Sequence, residues 1–302
     1  MTRIQANLLL VFIAFIWGSA FVAQSHGMDH IGPMMFTGVR FLIGAMVVLP
    51  LALREHTALS RRGAAPTASD WRHIVLLGGL MLMGAALQQI GIVSTSITNA
   101  GFLTALYVPL VPLLGWLMLR QLPHWSVWPG AVACVVGAFL LSGAHELRLS
   151  LGDAWVLAST LPWALHVLFV GRWADRMNAP FTVACGQFFV CGVLALAWAL
   201  WAEPWSWAGL QAASGAILYA GVLSVGVAFT AQVLAQRHAQ ASDAAIILSS
   251  EMVFAAVFGY VLMGDRLSPM GWLGCGLILV SLLAVQLLPA RRVATPPPTG
   301  HP

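Results

Sequence analysis

Two ionisable side chains stand inside runs that are otherwise apolar or small. Glu251 lies within ILSSEMVFAAVFG, Ile247 to Gly259, and Arg40 within GVRFLIGA, Gly38 to Ala45. A guanidinium can grip a carboxylate with two hydrogen bonds, which suits Arg40 to anchoring an anionic substrate group. Glu251 suits proton coupling or the binding of an amine, because a carboxylate held out of water can trade its proton near neutral pH. A structural role competes with each of these. The two charges can neutralise each other, or pair with polar neighbours, and simply hold helices together.

Further candidates surround this pair. Ser159, Pro162, Trp163 and His166 recur at helical spacing and share one stripe, so His166 can serve either as a second proton-coupling and substrate-binding group or as a hydrogen bond between helices. Pro162 is expected to kink that helix. Trp17 and Trp163 are candidate flat walls that stack on a substrate, whereas Trp71, Trp125, Trp205 and Trp207 suit an interfacial belt. Gln88 and Tyr107 lead the polar groups expected to face the interior, ahead of Gln89, Asn99, Gln187 and Gln232. Lipid satisfies none of them, and each can also act as interhelical glue.

Several chemistries are missing. The 302 residues include no lysine, which excludes a P-loop and a retinal Schiff base, and no H-E-x-x-H or G-x-S-x-G motif occurs. Cys134, Cys185, Cys191 and Cys275 lack metal-ligand spacing and read as small packing residues. No catalytic residue, metal or cofactor is therefore expected. Nor is nucleic acid: the expected partners are a small-molecule substrate, the lipid bilayer and protons, with the chain a monomer or homodimer. Gly130 and Gly137, and Gly271, Gly274 and Gly276, read first as close-packing faces and second as dimer contacts.

The elements that must hold these residues follow from hydropathy. The chain is 60% hydrophobic and 8% charged, against roughly 25% charged for a soluble domain. Since a span needs about 20 apolar residues, the chain reads as ten helices. They are Leu8–Gln24, Pro33–Leu53, Trp71–Val93, Asn99–Leu119, Val127–Gly143, Gly152–Arg172, Phe181–Trp201, Ala212–Leu234, Asp243–Met263 and Met270–Leu288. Arg54 to Asp70 is the largest polar connection. Arg3 with Leu8–Trp17 also resembles a signal peptide, but no clean A-x-A site follows and the segment has a later counterpart, so a span is expected. The net charge of +4 resides in arginines. With Arg40 set aside, alternating the loops places eleven arginines on the side of Arg3 and only Arg148 and Arg266 on the other. That bias predicts cytoplasmic N- and C-termini. Arg40 and Glu251 each fall about eight residues into their helices, near mid-depth.

A shift of about 146 residues lays FIWGSAFV (Phe15–Val22) over LPWALHVL (Leu161–Leu168), with Trp17 on Trp163. The same shift brings Gly38–Ala45 onto Cys185–Gly192, and a similar one brings Thr98–Gly115 onto Ser242–Gly259. The order of these matches predicts an all-α integral membrane protein of two five-helix repeats, residues 1–145 and 146–290, with a disordered cytoplasmic tail at 291–302. Because five is odd, the repeats are inverted, an arrangement common in secondary transporters whose site lies between the halves near the bilayer midplane.

AFIWGSAF (Ala14–Phe21), Pro33 paired with VRFLIGA, and ILSSEMVFAAVFGYVLMGDRLS with its glycine-rich last helix resemble the EamA-type family of the drug/metabolite transporter superfamily, over about Leu8 to Leu288. That resemblance implies a ten-helix carrier of amino acids or other small metabolites. It also implies a central cavity walled by both halves, with the fifth and tenth helices at the periphery. Where that family has a Glu ending its ninth helix this chain has Asp265, and no role is expected there.

The expected function is a secondary transporter of the bacterial inner membrane, an exporter of small metabolites such as amino acids, working by alternating access through a midplane cavity. Its substrate-binding residues are Trp17, Arg40, Gln88, Tyr107, Trp163, His166 and Glu251, with Glu251 and His166 handling protons. Two rivals remain in view: a membrane-embedded enzyme using His166 and Glu251 as acid and base, and a passive channel or structural subunit.

Overall fold

Nothing in a bilayer core can hydrogen-bond a free amide, so apolar runs of this length fold as helices that satisfy their own backbone. The computed structural model describes residues 1–95, 97–120, 122–142, 150–263 and 266–287, and these contain no β-strand. Arg148, Asp265, the expected repeat boundary at 145/146, the tail at 291–302 and the side chain of Asn99 lie outside the described residues.

Helix α1 spans Arg3–Met28, α2 Pro33–Arg61, α3 Ala68–Ile92, α4 Ile97–Ala105, α5 Tyr107–Leu119, α6 Val127–Ser142, α7 Leu151–Met177 and α8 Pro180–Ala202. A short α9, Trp207–Ala212, precedes α10, Ser214–Tyr219, which passes through a π-helical stretch, Ala220–Phe229, into α11, Thr230–Gln236. Helix α12, Ala241–Leu248, leads to α13, Glu251–Phe258, with a π turn at Gly259–Met263, and α14 covers Pro269–Leu287. Among the described residues, eight segments are long and apolar enough to cross a membrane, and Val127–Ser142 and Pro269–Ala284 are shorter apolar helices. The chain is thus an all-helical, multi-pass membrane protein.

Local chemistry sets the helix ends. Thr2, Thr67 and Ser150 form capping boxes with Gln5, Asp70 and Asp153, and Pro33 and Pro180 occupy first-turn positions where a missing N–H does no harm. Arg120 and Asn178 end α5 and α7 in the left-handed conformation, at φ 53° and 48°. Helix α7 runs through Pro162 as one element. The four cysteines are free and buried. Trp71, Trp125, Trp205 and Trp207 are exposed, and α6 meets α14 where Gly137 and Gly274 bring the two backbones together.

One expectation needs correcting. The polar connection placed at Arg54–Asp70 is mostly helix, because α2 continues to Arg61 and leaves only residues 62–67 between helices. Leu59 buries its side chain there, and Glu55 ties the extra turns to the start of α8. Its carboxylate accepts from the Phe181 and Thr182 amides at 3.3 and 2.7 Å and from Thr182 Oγ1 at 2.8 Å. The arrangement is reciprocal. Glu203, just past α8, accepts from the Met34 and Met35 amides of α2 at 2.8 Å each. Helices α2 and α8 pack antiparallel along their length, and each supplies the anion that the other's free amides and positive dipole end require.

These two glutamates sit at opposite ends of the pair, so their contributions should add. Glu55→Ala and Glu203→Ala are each expected to cost about 1–2 kcal/mol, read as lower thermal unfolding midpoints of the detergent-purified protein. Unchanged midpoints in both would contradict the capping role.

Candidate functional site

Three helices lose regular geometry in the same region. Between α4 and α5, Leu106 donates three residues back to the Leu103 carbonyl at 3.2 Å. Between α12 and α13, Ser250, Met252 and Val253 do the same to Ile247, Ser249 and Ser250 at 3.1, 3.2 and 3.0 Å. The hydroxyls of Ser249 and Ser250 also bond back to the Ile246 and Ile247 carbonyls, at 2.7 and 2.6 Å, and so relieve the interrupted ladder. The third irregularity is the π-helical stretch Ala220–Phe229. Tyr107 and Glu251 are the first residues of α5 and α13, so each opens a half-helix beside the same space. Broken helices of this kind mark binding sites in transporters.

That space is a cavity of about 630 Å³, including its opening to the surroundings. Its walls are Trp17, Phe21 and Gln24 of α1, Arg40 of α2, Gln88 of α3, Thr104 of α4, Tyr107 of α5, and Trp163 and Val167 of α7. Ser224, Phe229, Gln232, Leu248 and Glu251 complete them. Its lining takes in the latter half of α1, the eighth residue of α2 and the last turns of α3. The end where α1 begins is filled by Ala6, Leu10 and Ile13 against Ala235, Ala244 and Ile247, and is tied by Arg3 to Asp243 at 3.2 Å and by Gln236 Nε2 to the Val167 carbonyl at 2.9 Å.

Arg40 is 6% exposed and Gln24 8%. Arg40 Nη1 donates to Gln24 Oε1 at 2.7 Å, and its guanidinium carbon lies 5.3 Å from the ring centres of both Phe36 and Phe41. Among the described residues no carboxylate pairs with Arg40, and the Glu251 side chain makes no hydrogen bond or ion pair. The mutual neutralisation considered from sequence is therefore absent. Aromatic rings line the space between. Phe229 stacks on Trp163 at 6.1 Å and 12° and meets Trp17 at 4.5 Å and 51°. Trp17 Nε1 donates to the Ser224 carbonyl at 3.2 Å, Gln88 Nε2 to Thr104 Oγ1 at 3.0 Å, and Tyr107 Oη to the Ala245 carbonyl at 3.3 Å. Trp163 Nε1 and both amide atoms of Gln232 are buried without a partner among the described residues. Such a wall can hold a small molecule whose ends carry opposite charges and whose body is apolar.

Trp17, Arg40, Gln88, Tyr107, Trp163 and Glu251 all border the cavity, and His166 does not. His166 is fully buried behind Trp163, edge-on to the indole at 6.1 Å, with Nε2 2.9 Å from Gln187 Oε1. Gln232 joins the wall, whereas Gln89 and Gln187 are buried elsewhere. Among the described residues, no three His, Cys, Asp or Glu side chains gather as metal ligands would. Sequence reasoning missed Gln24, Phe21 and Phe229. The first two continue the Trp17 face at helical spacing (17, 21, 24), a signal that could have found them. Phe229 lies one turn before Gln232 but otherwise looks like any core aromatic.

A sequence model of the EamA-like transporter family matches residues 4–143 and 150–287. An "uncharacterized transporter" of Archaeoglobus fulgidus is 28% identical over 288 residues, covering 94% of this chain and 87% of that protein. The "uncharacterized inner membrane transporter YedA" of Escherichia coli K12 is 25% identical, covering 95% and 94%. A protein crystal structure, 18% identical, shares the fold with a TM-score of 0.76 over 95% of this chain and 98% of its own.

Gly18 is where α1 touches the start of α13. A Cβ there would come within 2.7 Å of the Glu251 carbonyl oxygen and 2.8 Å of the Ala255 nitrogen, neither of which can turn aside. Gly18→Ala should therefore force the helices apart. A loss of about 1–3 kcal/mol is expected, together with loss of ligand binding at the cavity. A wild-type melting curve for this variant would contradict the close approach.

Proposed function

The chain belongs to the EamA-like transporter family, and on that premise we propose that it moves a zwitterionic small metabolite, an amino acid foremost, through this cavity by alternating access in the exporting direction. One observation carries the reading. Arg40 and Glu251, of opposite character, border one aromatic-walled cavity, and neither has an ion-pair partner among the described residues. Charged side chains at membrane depth are expensive unless they are paired or face water, and those that face a cavity mark substrate paths. Arg40 takes the carboxylate of the cargo. Glu251 takes its ammonium group or a proton, so binding the one displaces the other and couples transport to a proton gradient. Trp17, Trp163 and Phe229 enclose the apolar body, while Gln88 and Tyr107 line the path beside it.

The topology that goes with this reading has ten spans in two inverted repeats, residues 1–145 and 146–290, with both termini in the cytoplasm of a bacterial cell and the protein in its inner membrane. A family match in each half, the arginine asymmetry and the inner-membrane name of the Escherichia coli relative support it. In that orientation most of the cavity wall lies in the outer half of the bundle and the Arg3–Asp243 contact on the cytoplasmic side. The reading as a carrier rather than an enzyme is supported by the position of His166 behind Trp163. It does not share the wall with Glu251, as an acid–base pair acting on one substrate would have to.

Purified protein in liposomes, exchanging labelled for unlabelled amino acid, tests this. Arg40→Gln is expected to lower transport at least about tenfold, in line with loss of a charge-assisted bidentate contact. Glu251→Gln should leave exchange measurable while removing the acceleration by a pH gradient. If Glu251→Gln keeps the wild-type gradient dependence, Glu251 has no part in coupling.

A further inference from the structure

Arg40 has an unusual immediate environment for a buried guanidinium. Its hydrogen-bond partner is a neutral amide, Gln24 Oε1 at 2.7 Å, its guanidinium carbon lies over the rings of Phe36 and Phe41, and Nε has no partner among the described residues. A buried arginine ordinarily sits against a carboxylate, because an ion taken out of water needs a counterion. Here a side chain one carboxylate oxygen away from being that counterion is an amide. Glutamine and glutamate have nearly the same shape, so a glutamate could stand at position 24 in the same rotamer and neutralise Arg40 outright.

We propose that Gln24 is the positioning residue that sets the charge class of the cargo: it aims the Arg40 guanidinium through a neutral hydrogen bond and leaves the positive charge for a substrate anion. The inference rests on the reading of the cavity as the substrate site. Gln24 acts through Arg40. It holds one Nη1 hydrogen, the Phe36 and Phe41 rings stand against the guanidinium, and the remaining donors meet a carboxylate or a similar oxyanion in the cavity. A carboxylate at position 24 would convert the anion receptor into an internal ion pair and leave Glu251 as the one charged side chain of the cavity wall, among the described residues, to greet cargo. The preferred cargo would then change from an acid-bearing molecule to a bare amine.

Three probes that share a ring but differ in charge test this on the full-length protein in detergent: L-phenylalanine, 3-phenylpropionate and phenethylamine. Affinities are read by titration, and folding by monodispersity and melting. Wild type should bind the two carboxylate probes more tightly than the amine. In Gln24→Glu, affinity for both carboxylate probes should fall by about tenfold or more, with phenethylamine unchanged or tighter, so the preference inverts. Gln24→Asp introduces the same charge on a shorter stem, and whichever of the two folds decides the matter. Gln24→Leu should bind every probe a few-fold more weakly yet keep the wild-type order, since the charge on Arg40 stays free. A folded charge variant with the wild-type acid-to-amine ratio would overturn the role of Gln24 alone, as would inversion by Gln24→Leu. Wild-type protein that binds neither carboxylate probe would overturn both this inference and the Arg40 anchor on which it rests.

Discussion

A bilayer offers no water to a charged side chain, so every ion in the spans must find a counterion, a dipole or a hydrated space. Most charged groups here sit near helix ends, where carboxylates such as Glu55 and Glu203 meet free amides and Arg3 meets Asp243. Arg40, eight residues into α2, and Glu251, at the break inside a span, have no such ionic partner among the described residues. Their presence requires a cavity, and the surrounding structure is arranged to keep that cavity open. Tryptophan and phenylalanine rings prop its walls, three helices give up regular hydrogen bonding at its edge, and polar side chains are turned inward to face it.

Holding such a space open in lipid takes a frame that does not depend on hydrophobic collapse, because lipid tails are as apolar as leucine. Two devices supply it. Helices α2 and α8 are clamped end to end by the reciprocal glutamates, and close backbone approach at Gly18 seats α1 directly on the first turn of α13. The site thus has a stiff side, carrying Arg40 on the clamped pair, and a jointed side, carrying Glu251 at the break of Ser249 and Ser250. A carrier that must bind and then release needs both.

Much of this was legible in the amino-acid sequence. Hydropathy located the long helices, although α1 and α2 run several residues past their expected ends, and Trp17, Trp163, Arg40 and Glu251, all singled out from sequence, border the cavity. The helix breaks were only partly legible. Ser249 and Ser250 keep helical backbone angles and interrupt the ladder only by shortening the hydrogen-bond step, so no glycine or proline announces that break, whereas the break at Leu106 stands three residues before Pro109, whose missing N–H was a signal that hydropathy alone passes over. Glu55 was read as part of a polar connection because its partner, the start of α8, is more than a hundred residues away. Gln24 was hidden at the end of a predicted helix, and Phe229 gains its place between two tryptophans from a π-helical stretch that no propensity scale foresees. His166 carried a strong chemical signal and still stands one layer behind the wall, since which side of a stripe faces the cavity is settled by packing.

The central claim is that this cavity takes cargo bearing both an acidic and a basic group. Wild-type protein in liposomes, offered a pooled panel of amino acids, organic acids, amines and nucleosides with and without a proton gradient, tests it most directly, with the contents read by mass spectrometry against empty liposomes. Selective, gradient-enhanced accumulation of amino acids over the acids and amines that carry only one of the two groups is the predicted result. Well-folded protein that accumulates nothing above the empty control, or that favours compounds with neither charged group, would contradict it.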